Sequence, residues 1–120
     1  MFAAHYKLDN LCLIVDNNNL QIDGAVSEVM SPDPIGEKYA AFGFFVQEID
    51  GHDFNAMEAA FAAARQQKDR PSVIVMKTVK GRGVSFMENQ VSWHGKGPNE
   101  EEYHQAMDEL TAALAEMEAE

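Results

Sequence analysis

LCLIVDNNNLQIDG, residues Leu11 to Gly24, is the stretch whose reading decides the fold. It opens as an apolar run, Leu11 to Val15, then turns polar at Asp16, Asn17, Asn18 and Asn19. Leu20 and Ile22 restore an alternating apolar pattern, and Asp23-Gly24 closes it with a turn signal. An apolar run of this length, rich in β-branched residues and bounded by turn formers, predicts a buried parallel strand over Leu11 to Val15. Open α/β sheets bind ligands beyond the C-terminal ends of their strands. One Asp and three Asn side chains at that place, with no Lys or Arg among them, offer hard oxygen donors of the kind Mg2+ or Ca2+ takes.

Upstream, MFAAHYKL predicts the last turns of a helix, with no N-cap before Met1. Downstream, Gly24 to Met30 is an irregular connector with room for a short strand. Asp33 is expected to cap a helix that has Pro34 at its first position and stops at Gly43. Ile35, Tyr39 and Phe42 would share its face. Phe44 to Ile49 is the second predicted strand, followed by an Asp50-Gly51-His52 turn. Asp53 should cap a helix whose packed face carries Phe54, Met57, Phe61 and Ala64. Ser72 to Lys77 is the third strand. Thr78 to Pro98 has neither period, and loops of that length in compact domains are functional or disordered. Asn99 and Glu102 form a capping box before a helix with Tyr103, Ala106, Met107, Leu110 and Leu114 on one face, which frays through Ala115 to Glu120. Strands alternating with helices predict an α/β fold with a parallel sheet flanked by helices and right-handed crossovers.

At 120 residues and 46% hydrophobic composition the chain is globular and of single-domain length or part of one. A formal net charge of -11 disfavours nucleic acid as a partner. Cys12 is the one cysteine, so no disulfide framework exists, and a buried, inert thiol in a reducing compartment is expected. Met1 to Asn10 has no basic region followed by an apolar core, and no run approaches the ~20 residues a membrane span requires. A soluble, cytoplasmic chain is the expectation.

Three clusters carry chemistry: the oxygens of Asp16 to Asn19, the turn Lys80-Gly81-Arg82-Gly83, and His94 between Trp93 and Gly95. In a parallel sheet they would share one crevice. They suit, in turn, a divalent cation, a phosphate and proton transfer near pH 7. Each also has a plainer reading, as a turn, a surface loop and a loop histidine. Asp16-x-Asn18 is no calcium loop, because Gln21 stands where that loop needs Gly. Gly81-x-Gly83 lacks the P-loop spacing.

LDNLCLIVDNNNLQIDG, KTVKGRGV and WHGKGPNEEEY together resemble the thiamine-diphosphate-binding half of transketolase, in particular the separate N-terminal subunit of split bacterial transketolases. The resemblance spans essentially the whole chain, residues 1–120, as the C-terminal portion of that domain. It implies that Asn18 is a Mg2+ ligand through its side-chain oxygen and Leu20 another through its backbone carbonyl. It implies further that Ile22 packs on the cofactor rings, that Lys80 contacts the diphosphate, and that His94 lies by the diphosphate and the reacting end of the substrate. Asp16 would order the loop. The activity implied is ketol transfer between sugar phosphates with thiamine diphosphate and Mg2+. The implied partners are a C-terminal subunit carrying the pyrimidine-binding domain and a second copy of the same subunit.

The family motif opens with a Gly-Asp-Gly that these residues do not contain. Its Asp is the anionic Mg2+ ligand, so the expectation is a partial subunit, cut before its first strands, inactive alone, with an uncovered sheet edge and helix face. A non-catalytic remnant or assembly module is the alternative from another class. A related thiamine-dependent synthase, such as the one making deoxyxylulose phosphate, is the alternative within the enzyme class. The WHG segment favours transketolase.

Overall fold

In chain order the elements are α1 (Phe2–His5), β1 (Cys12–Asn17), β2 (Leu20–Gln21), β3 (Gly24–Ala25), α2 (Val26–Val29), α3 (Ile35–Ala41), β4 (Phe45–Asp50), α4 (Phe54–Gln66), β5 (Ser72–Lys77), a 3-10 turn (Val91–His94) and α5 (Glu100–Glu118). They are seen in a computed structural model that describes Met1 to Ala119. The chain forms two units, one from Met1–Asn17 and Met30–Thr78, the other from Asn18–Val29 and Val79 onward.

The first unit is a three-stranded parallel sheet in the order β1-β5-β4, flanked by helices. β5 is central and buried from Ser72 to Met76, so its unbroken apolar run has a physical cause. Side chains alternate along a strand. Val73 and Val75 therefore join Phe44 on one face, with Leu13, Val15, Ile35, Tyr39 and Val46 packed around them. Ile74 and Met76 join Ala60 on the other, with Ile49, Met57 and Phe61. Burying each such aliphatic side chain stabilises by roughly 1.5–3 kcal/mol. Asp53 caps α4 as expected, accepting from the N–H groups of Asn55 and Ala56 at 2.9 and 3.1 Å.

Several expectations need correction. β1 runs to Asn17, because Asp16 and Asn17 pair in register with Met76 and Lys77; the first two polar residues lie in the strand rather than beyond it. β1 is also an edge strand whose residues alternate between exposed and half-buried, with Ile14 53% exposed. α4 packs on β4 and β5, which leaves Cys12 exposed instead of buried. Partial shielding still pushes its thiol pKa up, so the thiolate is scarce at neutral pH.

Asp33 does not cap α3. Pro34 is the N-cap residue and no side chain bonds there; the Asp33 side chain turns back to Ser31, its Oδ2 accepting the Ser31 hydroxyl at 3.4 Å. Phe42 and Phe54 leave their predicted faces and are 47% and 81% exposed. Phe42 is the C-cap beyond the last turn of α3, and Phe54 is the first residue of α4.

The second unit starts with a hairpin, β2 against β3, where the connector reading had room for one short strand. Its other half is the loop from Val79 to Pro98 laid on α5. Asn99 and Glu102 complete the capping box, at 2.9 and 2.8 Å. Ala106 is the buried residue of α5, while Tyr103, Met107, Leu110 and Leu114 are 44–55% exposed. Periodicity assigned the stripe correctly, but the stripe is uncovered. The end of the fraying tail, Glu120, lies outside the described residues. Among the described residues no helix is long and apolar enough to cross a membrane.

Candidate functional site

Asn18, Leu20, Gln21, Lys80, Val91 and His94 line one cleft of about 190 Å3 within the second unit. Three segments far apart in sequence build it, and each is held by a local device.

Asn18 follows β1 directly, and its Oδ1 accepts the Leu20 N–H at 3.0 Å. This Asx turn fixes the amide and leaves the oxygen a second lone pair. The Val26 N–H donates to the Asn19 carbonyl at 2.9 Å, which makes Asn19 and Val26 a bonded pair of the hairpin. Bonded and non-bonded pairs alternate along an antiparallel ladder, so the main-chain groups of Leu20, opposite Ala25, point away from β3. The Leu20 carbonyl is thereby left on the same side as the Asn18 amide. Ile22 lies at the hairpin tip, 67% exposed, and does not line the cleft.

Lys80 is placed by the glycine turn after it. Its carbonyl accepts the Asn89 N–H at 2.9 Å. Gly81 has φ 73°, and a Cβ there would lie 2.6 Å from the Met87 carbonyl oxygen. No residue with a side chain allows that approach without displacement.

His94 ends the 3-10 turn Val91–His94. Residues i and i+3 eclipse in such a turn, so Val91 shares the cleft with His94. Neither Val91 nor Gln21 stood out in the sequence. Gln21 was detectable only as the neighbour of Leu20, and Val91 only once the 3-10 turn was known.

Asp16 belongs to the first unit and is not one of the residues that line the cleft. Its Oδ1 accepts the hydroxyl of Thr78, and the Thr78 N–H donates to the Asn17 carbonyl at 3.2 Å. It ties the ends of β1 and β5 together. Among the described residues no group of three or more His, Cys, Asp or Glu side chains converges on a metal position.

The loop carrying Lys80 is anchored on α5 by carboxylates. Glu109 accepts the N–H and the hydroxyl of Ser85, both at 2.6 Å. Those bonds, with one from Gln105, hold its pKa below the ordinary 4.5. Glu102 is lowered from the same value by Lys96 and by the Asn99 N–H. A carboxylate with a depressed folded pKa stabilises above its unfolded value and loses that contribution as pH falls through the folded one. Acidifying from pH 6 to 3 should therefore loosen the loop from α5. The protection factor of the Ser85 amide should fall below about pH 4.5, and unchanged protection down to pH 3 would refute it.

Residues 1–116 match the family model described as "Transketolase, thiamine diphosphate binding domain". The chain belongs to the transketolase family, in its thiamine diphosphate binding domain. It is 36% identical over 120 residues to an apulose-4-phosphate transketolase subunit of Phocaeicola vulgatus, covering 100% of this chain and 43% of that one. It is 38% identical over 110 residues to 6-deoxy-6-sulfo-D-fructose transketolase subunit SqwG of Clostridium sp. (strain MSTE9), covering 92% and 40%. Among solved structures, the transketolase of Campylobacter jejuni superposes with TM-score 0.83 at 32% identity, over 89% of this chain and 17% of that one. The chain thus spans about two-fifths of the length of these curated relatives.

Proposed function

We propose that the chain is part of a transketolase that moves a two-carbon ketol unit between sugar phosphates, of the kind handled in the pentose phosphate pathway, with thiamine diphosphate and Mg2+. The observation that carries this reading is the cleft in which Asn18, Leu20, Lys80 and His94 meet, in a chain of the transketolase family. Thiamine diphosphate, when bound, supplies the electron sink for breaking and making the carbon–carbon bond.

The residues present fit the diphosphate end of that cofactor in part. Asn18 Oδ1, with a lone pair to spare, and the Leu20 carbonyl are two neutral hard oxygens for Mg2+. The Lys80 ammonium would neutralise phosphate oxygens, whereas the N–H groups of Arg82 and Gly83 in its glycine turn already donate to the Val79 carbonyl and to Glu88. His94, which lines the same cleft, would contact the diphosphate and the reacting end of the substrate. Ile22, exposed at the hairpin tip, is the apolar contact for the ring system. A carboxylate ligand is not among these groups, and a site of neutral donors alone holds a divalent cation weakly.

Catalysis then requires a carboxylate from elsewhere in the assembly, a second copy of this subunit, and a C-terminal subunit carrying the pyrimidine-binding domain. Two of the relatives named above are themselves described as transketolase subunits, which favours this reading over a deoxyxylulose-phosphate synthase or a non-catalytic module. A cytoplasmic setting suits a chain with a single exposed thiol.

Two measurements test the reading. Magnesium pyrophosphate at millimolar concentration should shift the amide or side-chain resonances of Asn18, Leu20, Lys80 and His94, and silence at all four would sink it. Calorimetry with thiamine diphosphate and Mg2+ should find binding to this chain weaker than micromolar, a free energy short of about -8 kcal/mol. Micromolar binding would show that no outside carboxylate is required.

A further inference from the structure

Trp93-His94-Gly95-Lys96-Gly97 should be a loose segment. A Cβ built on Gly95 or Gly97 would meet nothing within 4 Å, so packing does not restrain the main chain after the 3-10 turn, in which the Trp93 N–H donates to the Gln90 carbonyl at 3.3 Å. What holds it is a line of side chains. The Trp93 Nε1–H donates to the Phe86 carbonyl at 3.1 Å, and the two rings lie 5.3 Å apart. Lys96 Nζ sits over the Trp93 ring, 4.2 Å from its centroid. The same ammonium is 2.5 Å from Glu102 Oε1. Glu102 Oε2 accepts the Asn99 N–H in the capping box of α5.

One cation therefore joins two fixed objects, the indole of the turn that carries His94 and the N-terminus of a 19-residue helix. We propose that Lys96 is a positioning residue that latches His94 into the cleft. The role of His94 rests on the functional reading above; the latch itself rests on the geometry alone.

A plain surface ion pair would not do this. Lys96 and Glu102 side chains are 48% and 24% exposed, and exposed pairs between mobile partners add little. Here both partners are already immobile, Glu102 by the capping box and Trp93 by Phe86. The ammonium therefore selects one geometry for the short chain between them. His94 lies one residue from Trp93 and two from Lys96, inside the latched stretch. An imidazole held in place before a ligand arrives loses less entropy on binding.

Trp93 is the one tryptophan of the chain, so tryptophan fluorescence reports on this side chain alone. Lys96→Met keeps the stem and removes the charge, whereas Lys96→Arg keeps both the stacking and the ion pair. The first should raise acrylamide quenching of Trp93 by about twofold or more and move the His94 ring cross-peaks, identified by their loss in His94→Gln. The second should restore both. Glu102→Gln, which keeps the capping acceptor, should shift both readouts in the direction of Lys96→Met, and it decides the matter if Lys96→Met disturbs α5.

Unchanged quenching and unmoved His94 cross-peaks in Lys96→Met and Glu102→Gln would overturn the proposal, as would Lys96→Arg behaving like Lys96→Met. In the same samples magnesium pyrophosphate should move the His94 cross-peaks of the unsubstituted chain. If it does not, while the latch readouts behave as expected, the cofactor reading of the cleft fails and the latch stands.

Discussion

Ile74→Ala is expected to destabilise the first unit by about 2–5 kcal/mol. Ile74 is fully buried in the middle of the central strand, against Ala60 and Met76 and beside Ile49, Met57 and Phe61. Two effects add. Removing three carbons forfeits their transfer from water, and the space they leave cannot close, because β1 and β4 pair with β5 on either side and fix its backbone. A small domain has only about 5–15 kcal/mol of stability in total, so the urea midpoint should fall by a large fraction of its value. Phe54→Ala is the control. It removes a larger side chain, but one 81% exposed at the start of α4, and should change stability by no more than about 0.5 kcal/mol. A loss below about 1 kcal/mol for Ile74→Ala would mean that the helix face of β5 is not the core.

The strands show how far the amino-acid pattern reaches. β5 is legible to the residue, because a strand buried on both faces needs apolar side chains at every position, and Val73 to Met76 supply them. β1 is legible as a strand but not in its burial or its end. Those depend on which neighbours pair with it, and the ladder with β5 draws Asp16 and Asn17 into the strand against the polarity signal. The stripe on α5 shows the same limit. Spacing says which residues share a face, whereas whether that face is covered depends on atoms remote in sequence. Asp33 failed for a local reason: the Ser31 hydroxyl donates to its carboxylate, and a polar residue before a helix is a cap only if its side chain turns forward.

The meeting of Asn18, Lys80 and His94 in one cleft of the second unit agrees with the expectation that these clusters share a crevice. What the pattern did not contain is the set of fixtures. The Asx turn at Asn18, the 3-10 turn that brings Val91 beside His94, and the stacking of Lys96 on Trp93 are contacts between residues with no shared periodicity.

Gly81→Ala should collapse the cleft, at a cost of about 2–4 kcal/mol to the second unit. Two causes act together and can be separated. With φ at 73°, Gly81 occupies the left-handed region, where a residue with a side chain is strained by roughly 1–3 kcal/mol. A Cβ there would also stand 2.6 Å from the Met87 carbonyl oxygen and 2.7 Å from its carbonyl carbon. That is main chain, which cannot swing aside as a flexible side chain would. The Asn89 N–H to Lys80 carbonyl bond beside it would lengthen or break, and Lys80 would leave its place opposite Asn18. Gly81→Asn divides the two causes, since Asn tolerates the left-handed region but carries the same Cβ. If strain dominates, Asn recovers most of what Ala loses; if the Met87 contact dominates, the two variants are equally damaged. We expect the second, because displacing the 87–89 backbone disturbs several hydrogen bonds while the strain is confined to one residue. Gly95→Ala is the matched control, having φ -136° at the end of the 3-10 turn and open space around it. It should be neutral or stabilising by about 0.4–1 kcal/mol. Thermal unfolding of the three variants, read with the Lys80 and His94 resonances, distinguishes these outcomes. A Gly81→Ala chain as stable as Gly95→Ala, with Lys80 unmoved, would show that the close approach of Lys80–Gly81 to Met87 is not what builds the cleft.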